Sequence, residues 1–270
     1  MHMADDVLAA TVLWGNHWLA AAVALLAGLG AVYYARLWRS LPRGPLDSPF
    51  TIADAGIASG LSLWFIVLIV RSGGGPQIVS SEAIAASAIV YAVLVGLLFG
   101  MLAIRRISPV KAFGLWWRDW RSAMPLLGLS FLAILPVVAI VQWAASLLGG
   151  GKPESQPLLD FWVANPDFAS RALVAGMAVI VAPAAEEAIF RGYLYGAARR
   201  FAGPTGSMLA ASLLFAAVHI HLPAFLGLFA LAMALNIIYE KTGSLWAPVI
   251  MHGAFNACSL AAAVLWPEAA

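Results

Sequence analysis

Three ionisable residues lie inside an apolar stretch of the sequence. Glu186, Glu187 and Arg191 fall within residues 171–198, which we expect to form a membrane-spanning helix. Because a helix rises about 1.5 Å per residue, Glu186 would lie roughly 20 Å from either end of this segment. An ionisable group in the bilayer core costs at least about 2.5 kcal/mol even on a lenient scale. Each of the three residues therefore needs a partner or a function.

The spacing of these residues predicts different roles for the two glutamates. Glu187 and Arg191 are four residues apart, so they share one helical face and can form an ion pair. Glu186 points about 100° away from that face and lacks this partner. A desolvated, unpaired carboxylate is suited to act as a general base or acid near neutral pH. The alternative is that all three residues form a buried ion network that docks helices.

Two later apolar segments add histidines and an amide. His219 ends a segment over 206–220, and His252 and Asn256 are four residues apart on the last helix. A single intramembrane histidine usually makes a hydrogen bond between helices, but several complementary polar groups in neighbouring segments indicate one buried site. We expect His221, two residues from His219, to line the site or to lie at the membrane interface.

The composition excludes a soluble protein. Of 270 residues, 63% are hydrophobic and 10% are charged, whereas a soluble domain has about 25% charged residues. The formal net charge of +2 offers no basic face for nucleic acid. The single cysteine, Cys258, excludes internal disulfides, CxxC redox chemistry and cysteine-based zinc sites.

The apolar segments predict an all-α, polytopic bundle of about eight transmembrane helices with a recessed intramembrane cavity. We expect residues 1–124 to form N-terminal helices and a basic amphipathic loop, and 125–270 to form the catalytic core, with its motifs within 171–266. Asp54 is expected to be a cap or interface charge at the start of the second helix. The predicted spans are 15–35, 53–70, 83–104, 125–148, 171–198, 206–220, 223–239 and 246–266.

The basic residues predict the orientation in the membrane. Arg43, Arg118 and most other basic residues lie in the connections that follow the first, third, fifth and seventh spans. The opposite connections contain only Arg71, Lys152 and Arg171. Because cytoplasmic loops are enriched in Lys and Arg, both termini should be non-cytoplasmic. The composition fits the inner (plasma) membrane of a bacterium.

Three motifs in the last hundred residues resemble those of the CAAX prenyl protease and bacteriocin-processing (CPBP) intramembrane proteases, which are related to type II CAAX endopeptidases. In chain order they are Glu186-Glu187-x-x-x-Arg191, Phe215-x-x-x-His219 and His252-x-x-x-Asn256. Each motif alone is weak, but their order and their setting in apolar segments make the set specific. The resemblance covers about residues 171–266.

The resemblance implies an intramembrane endopeptidase that acts on a membrane-associated or lipidated protein or peptide. In the family, the residues that correspond to Glu186 and His219 activate a water molecule. Those that correspond to His252 and Asn256 stabilise the oxyanion formed when water attacks the peptide carbonyl. The second glutamate and the arginine of the first motif form a structural pair, in agreement with the helical phase.

Two other function classes use the same residues. A proton-coupled transporter could use Glu186, His219 and His252 as a relay, although the sequence has no internal repeat. A proteolytically silent membrane scaffold or immunity protein could retain the fold.

Zinc is the alternative to a metal-free site, because two histidines and a glutamate could supply three ligands. However, the His-Glu-x-x-His pattern of helical zinc proteases is missing. Asn256 is also a better hydrogen-bond donor than zinc ligand. We therefore expect no cofactor.

Overall fold

The computed structural model describes residues 2–41, 49–72, 79–116, 119–148 and 156–265. These residues form helices and contain no strand, which confirms the all-α fold. The α-helices are α1 (His2–Arg39), α2 (Ile52–Ser72), α3 (Ser81–Ile104), α4 (Pro109–Ala112), α5 (Trp120–Leu148), α6 (Pro157–Ala164), α7 (Phe168–Gly176), α8 (Ala182–Glu187), α9 (Gly196–Val218), α10 (Phe225–Thr242) and α11 (Trp246–Leu265).

Seven helices in the described part of the chain are long and apolar enough to cross a membrane, so the protein is an integral membrane protein. This count is one lower than the eight predicted. The difference lies in one stretch, Phe168–Val218, which has 51 residues. A straight helix of that length would measure about 75 Å, more than twice the thickness of the hydrocarbon core.

This long stretch doubles back at Gly203. Gly203 has φ 67° and ψ 178°, a conformation outside the helical region, and Pro204 follows it. The rings of Phe190 and Phe215 are 5.2 Å apart, whereas in a straight helix they would be separated by about 37 Å. The two arms correspond to the predicted helices 171–198 and 206–220, and the count of seven treats them as one helix.

Most described basic residues lie at one end of the bundle, which we call the basic end. Three contacts there link segments that are far apart in the chain. Arg105 pairs with Asp54, and the Lys241 ammonium donates to the Ser40 carbonyl (3.0 Å). Arg200 donates to the Phe50 carbonyl (2.5 Å). Asp54 also accepts a hydrogen bond from the backbone N–H of Thr51 (2.6 Å), as expected for a capping residue. Arg43, Arg118 and Lys152 lie outside the described residues.

A short segment after α4 closes the core near the basic end. The Phe113 ring is fully buried against Gly192, and the Phe113 carbonyl accepts a hydrogen bond from the backbone N–H of Leu245 (3.0 Å). The next residue, Gly114, has φ 62°, and a methyl group there would lie 1.8 Å from the Gly243 carbonyl oxygen. Only glycine allows the two chain segments to approach so closely.

Candidate active site

Four of the predicted site residues line one cavity inside the helical bundle. The cavity has a volume of about 560 Å³, and its lining includes Glu186, His219, His252 and Asn256. These residues come from α8, the end of α9 and α11. Helices α3 and α5 contribute other parts of the wall.

The helix that carries the glutamates is interrupted by wider turns on both sides. Residues Met177–Val181 and Ala188–Tyr195 are π-helical, and they flank the short helix α8. π-Helical turns are uncommon and occur frequently at functional sites. No residue pattern in the sequence predicted them.

The predicted contact between Glu187 and Arg191 is present. Arg191 donates to Glu187 Oε1 over 2.9 Å, and both side chains are buried. The Arg191 guanidinium also donates to the Ala232 carbonyl (3.2 Å) and lies 4.5 Å from the centre of the Phe215 ring. Neither Glu187 nor Arg191 is part of the cavity lining, so the pair lies behind the cavity wall.

Glu187 has a second partner that the sequence analysis missed. His252 Nδ1 lies 2.8 Å from the same Oε1 atom. A carboxylate oxygen only accepts, so Nδ1 carries the proton. The remaining ring nitrogen, Nε2, lies 3.9 Å from Glu186 Oε2. Nε2 can donate a hydrogen bond only when the ring carries its second proton.

Glu186 is held by a tyrosine to which the sequence analysis assigned no role. The Tyr91 hydroxyl, on α3, donates to Glu186 Oε1, and Tyr91 also lines the cavity. The Glu186 side chain is 11% exposed, so its carboxylate faces the cavity and is largely shielded from solvent. Tyr91 lies 95 residues earlier in an apolar helix, and its spacing carries no signal of this contact.

Phe215 packs against both histidines. Its ring centre lies 4.8 Å from that of His219 and 5.7 Å from that of His252. His219 Nδ1 donates to the Phe215 carbonyl (2.8 Å), so Nε2 carries the lone pair in the neutral ring. The Asn256 amide nitrogen donates one of its two hydrogens to the Ala178 carbonyl (2.8 Å). The Phe215-x-x-x-His219 spacing thus places an aromatic support beside both imidazoles.

A close helix contact brings α11 to the glutamate helix. A methyl group at Gly253 would lie 2.5 Å from the Val179 carbonyl oxygen, in the π-helical turn before α8. Only a hydrogen fits in this gap. The residues on either side of this contact, His252 and Asn256, therefore reach Glu187 and Ala178.

In the described ranges, no group of three or more His, Cys, Asp or Glu side chains is arranged to hold a metal ion.

His221, expected as a lining or interfacial residue, lines the cavity, and its Nδ1 accepts a hydrogen bond from the Ala224 backbone N–H (3.2 Å).

Part of the chain matches the model of a known protein family. Residues 168–258 match the model described as type II CAAX prenyl endopeptidase Rce1-like. This segment, about a third of the chain, is similar to the Rce1-like CAAX endopeptidases, a CPBP peptidase family. The CAAX endopeptidase segment begins at α7 and contains all three motifs. No curated protein and no solved structure matches the chain.

Proposed function

We propose that the protein is an intramembrane endopeptidase that hydrolyses a peptide bond in a membrane-associated or lipidated protein or peptide. The observation that carries this proposal is the convergence of Glu186, His219, His252 and Asn256 on one cavity within the bundle. All four residues lie in the CAAX endopeptidase segment.

The reaction begins with a water molecule held by Glu186 and His219. Glu186 accepts a proton from this water as its oxygen attacks the carbonyl carbon of the substrate. The carbonyl oxygen becomes negatively charged, and it accepts hydrogen bonds from the doubly protonated His252 and the second amide hydrogen of Asn256. The C–N bond then breaks, and Glu186 returns the proton to the leaving amine.

The Glu187–Arg191 pair supports this chemistry through His252. The Glu187 carboxylate accepts a hydrogen bond from His252 Nδ1 and so fixes the orientation of the ring, as a buried carboxylate does for the histidine of a serine protease. Arg191 supplies the countercharge that a buried carboxylate requires. Both are positioning residues, because neither lines the cavity.

The test of this function is the appearance of cleaved membrane proteins. We expect new protein termini in the membranes of bacterial cells that express the protein, compared with cells that do not, and the same cuts with purified protein in liposomes. A transporter would instead dissipate a proton gradient in those liposomes without producing fragments. A silent scaffold would do neither. Either of these results would contradict the proposal. Prenylated and unprenylated reporters would define the substrate further.

We also propose that the protein lies in a bacterial inner membrane with its basic end in the cytoplasm and both termini outside it. The contacts of Arg105, Lys241 and Arg200 at one end of the bundle support this orientation. The reversal at Gly203 supports it as well, because two arms in place of one helix give an even number of crossings in the part of the chain that the structure describes.

Removal of the Tyr91 hydroxyl should slow hydrolysis without weakening substrate binding. In Tyr91→Phe, Glu186 loses the hydrogen bond that orients it, so we expect kcat to fall about tenfold while KM changes less than twofold. The control is Ser87→Ala, another cavity residue on α3, whose hydroxyl donates to the Ala83 carbonyl of its own helix. A raised KM with an unchanged kcat would show that Tyr91 binds substrate rather than positioning Glu186.

Treatment with a strong chelator should leave the activity unchanged. The proposed chemistry uses Glu186 and His219 to activate water, and it needs no metal to do so. The measurement is the hydrolysis rate of purified protein before and after exhaustive chelation, together with elemental analysis for transition metals. Activity that chelation abolishes and zinc alone restores would identify a metalloprotease.

A further inference from the structure

Helix α10 contains no residue of the three motifs, but it binds both arms of the stretch that carries two of them. On the first arm, the Arg191 guanidinium donates to the Ala232 carbonyl (3.2 Å). On the second arm, the Ser212 hydroxyl accepts a hydrogen bond from the Asn236 side-chain amide (3.0 Å). The same amide nitrogen donates to the Ala232 carbonyl at 3.0 Å. One turn of α10 therefore links the two arms through polar contacts.

The amide of Asn236 makes these contacts in the interior of the bundle. Asn236 and Ser212 are both fully buried. Burial of a polar group costs free energy unless the group is hydrogen-bonded. Leu235 and Ile237, its buried neighbours on α10, avoid this cost because they are apolar. Both hydrogens of the Asn236 amide are used in the two contacts, so the side chain is held in one orientation.

Ser212 shares a helical face with residues that act in the cavity. Phe215 and His219 follow Ser212 by three and seven residues, so all three lie on one side of the second arm. The Phe215 ring extends this face to the first arm, because its centre lies 4.5 Å from the Arg191 guanidinium carbon. The same ring lies 5.7 Å from that of His252. A bond that holds Ser212 against α10 therefore limits rotation and sliding of the face that carries His219.

Each arm supplies one of the two residues proposed to hold the water molecule. Glu186 lies on the first arm, close to Arg191 in the chain, and His219 ends the second arm. The water can be held by both side chains only while their separation is fixed. A misplacement of about 1 Å can lower a catalytic rate about a hundredfold. The contacts of Arg191 and Ser212 with one turn of α10 keep the two arms in register.

We infer that Asn236 is a positioning residue for the hydrolysis, because it holds the second arm against α10 and so sets the place of His219 relative to Glu186. Asn236 does not line the cavity, and its effect is transmitted through Ser212 and Ala232. The inference rests on the proposed function for the reaction that Asn236 serves. Its geometric part, the alignment of the two arms, can be measured without any cleavage.

The test uses two variants that break the same contact. Asn236→Leu removes the donor, and Ser212→Ala removes the acceptor with a smaller change in volume. The matched control is Ser207→Ala, on the same arm. Ser207 is also fully buried, and its hydroxyl has no hydrogen-bond partner in the part of the chain that the structure describes. Only variants that unfold cooperatively in detergent are assayed, and if Asn236→Leu does not fold, Ser212→Ala decides alone.

The first measurement is the hydrolysis of a membrane-anchored reporter. We expect kcat to fall about 10- to 100-fold in Asn236→Leu and in Ser212→Ala, while KM changes less than about twofold. The double variant should be no slower than Asn236→Leu, because both changes remove one contact. Ser207→Ala should keep the parental rate. A parental kcat in the folded variants, with only a lower melting temperature, would make Asn236 a purely structural residue and overturn the inference.

The second measurement needs no cleavage. Histidine labelled with 13C in the ring is incorporated, and the NMR signal of His252 is assigned by its loss in His252→Gln. This signal reports the position of the second arm, because the nearby Phe215 ring shifts it. We expect it to move in Asn236→Leu and Ser212→Ala but not in Ser207→Ala. An unmoved signal would overturn the inference even in an active protease, whereas a moved signal in a protein that cleaves nothing would refute only the proposed function.

Discussion

The Glu186→Gln variant is expected to hydrolyse a membrane-anchored reporter 10² to 10⁴ times more slowly than the parent, which is the usual range for loss of a general base. The amide has the shape of the carboxylate but cannot accept a proton from water. Its oxygen can still accept the hydrogen bond from Tyr91, so the local structure should be retained. The measurements are the initial rate of reporter cleavage and the melting temperature in detergent.

The matched control for this variant is Glu82→Gln. It makes the same chemical change at an exposed carboxylate in the first turn of α3, and its cleavage rate should equal that of the parent. If Glu186→Gln kept more than a tenth of the parental rate while Glu82→Gln was unaffected, Glu186 would not be the base. His219 would then be the next candidate, because its Nε2 carries a lone pair in the neutral ring.

The Glu187→Gln and Arg191→Leu variants should each destabilise the protein by about 3–5 kcal/mol, since each removes one member of a buried ion pair. Glu187 and Arg191 are both fully buried, and they are joined by a 2.9 Å hydrogen bond. The measurement is thermal or denaturant unfolding in detergent. The double variant should be less destabilised than the sum of the two single variants, because neither charge then remains alone.

Loss of Glu186 and loss of Glu187 should have different effects on stability and activity. Glu187→Gln should lower both stability and activity, because Glu187 also holds the His252 ring. Glu186→Gln should lower activity alone. A Glu187→Gln variant that melted with the parent, beside a Glu186→Gln variant that melted far lower, would reverse the assignment of structural and catalytic roles.

Helical phase was sufficient to predict contacts within one helix. The Glu187–Arg191 pair follows from a spacing of four residues, and the structure confirms it. The contact between Glu187 and His252 could not be predicted in this way, because it depends on how α11 packs against α8. The same holds for Tyr91 and Glu186, which belong to helices far apart in the chain.

Apolar length predicted where the helices lie but not their internal geometry. The predicted segments 171–198 and 206–220 correspond to the two arms of Phe168–Val218, and Gly203 with Pro204 marks the reversal between them. The π-helical turns Met177–Val181 and Ala188–Tyr195 carry no residue pattern that distinguishes them from α-helical turns.

Main-chain atoms fix the spacing between α11 and the glutamate helix, because Gly253 presents only hydrogen to the Val179 carbonyl. Because this contact involves no side-chain rotamers, it holds α11 at a fixed distance from the helix that carries Glu186. The cavity lining also includes side chains of α3 and α5, such as Ile84 and Gln142, which can be exchanged without a change in this contact. Substrate specificity can therefore diverge among relatives through changes in the α3 and α5 side chains. The distances needed for hydrolysis stay constant between α11 and the glutamate helix.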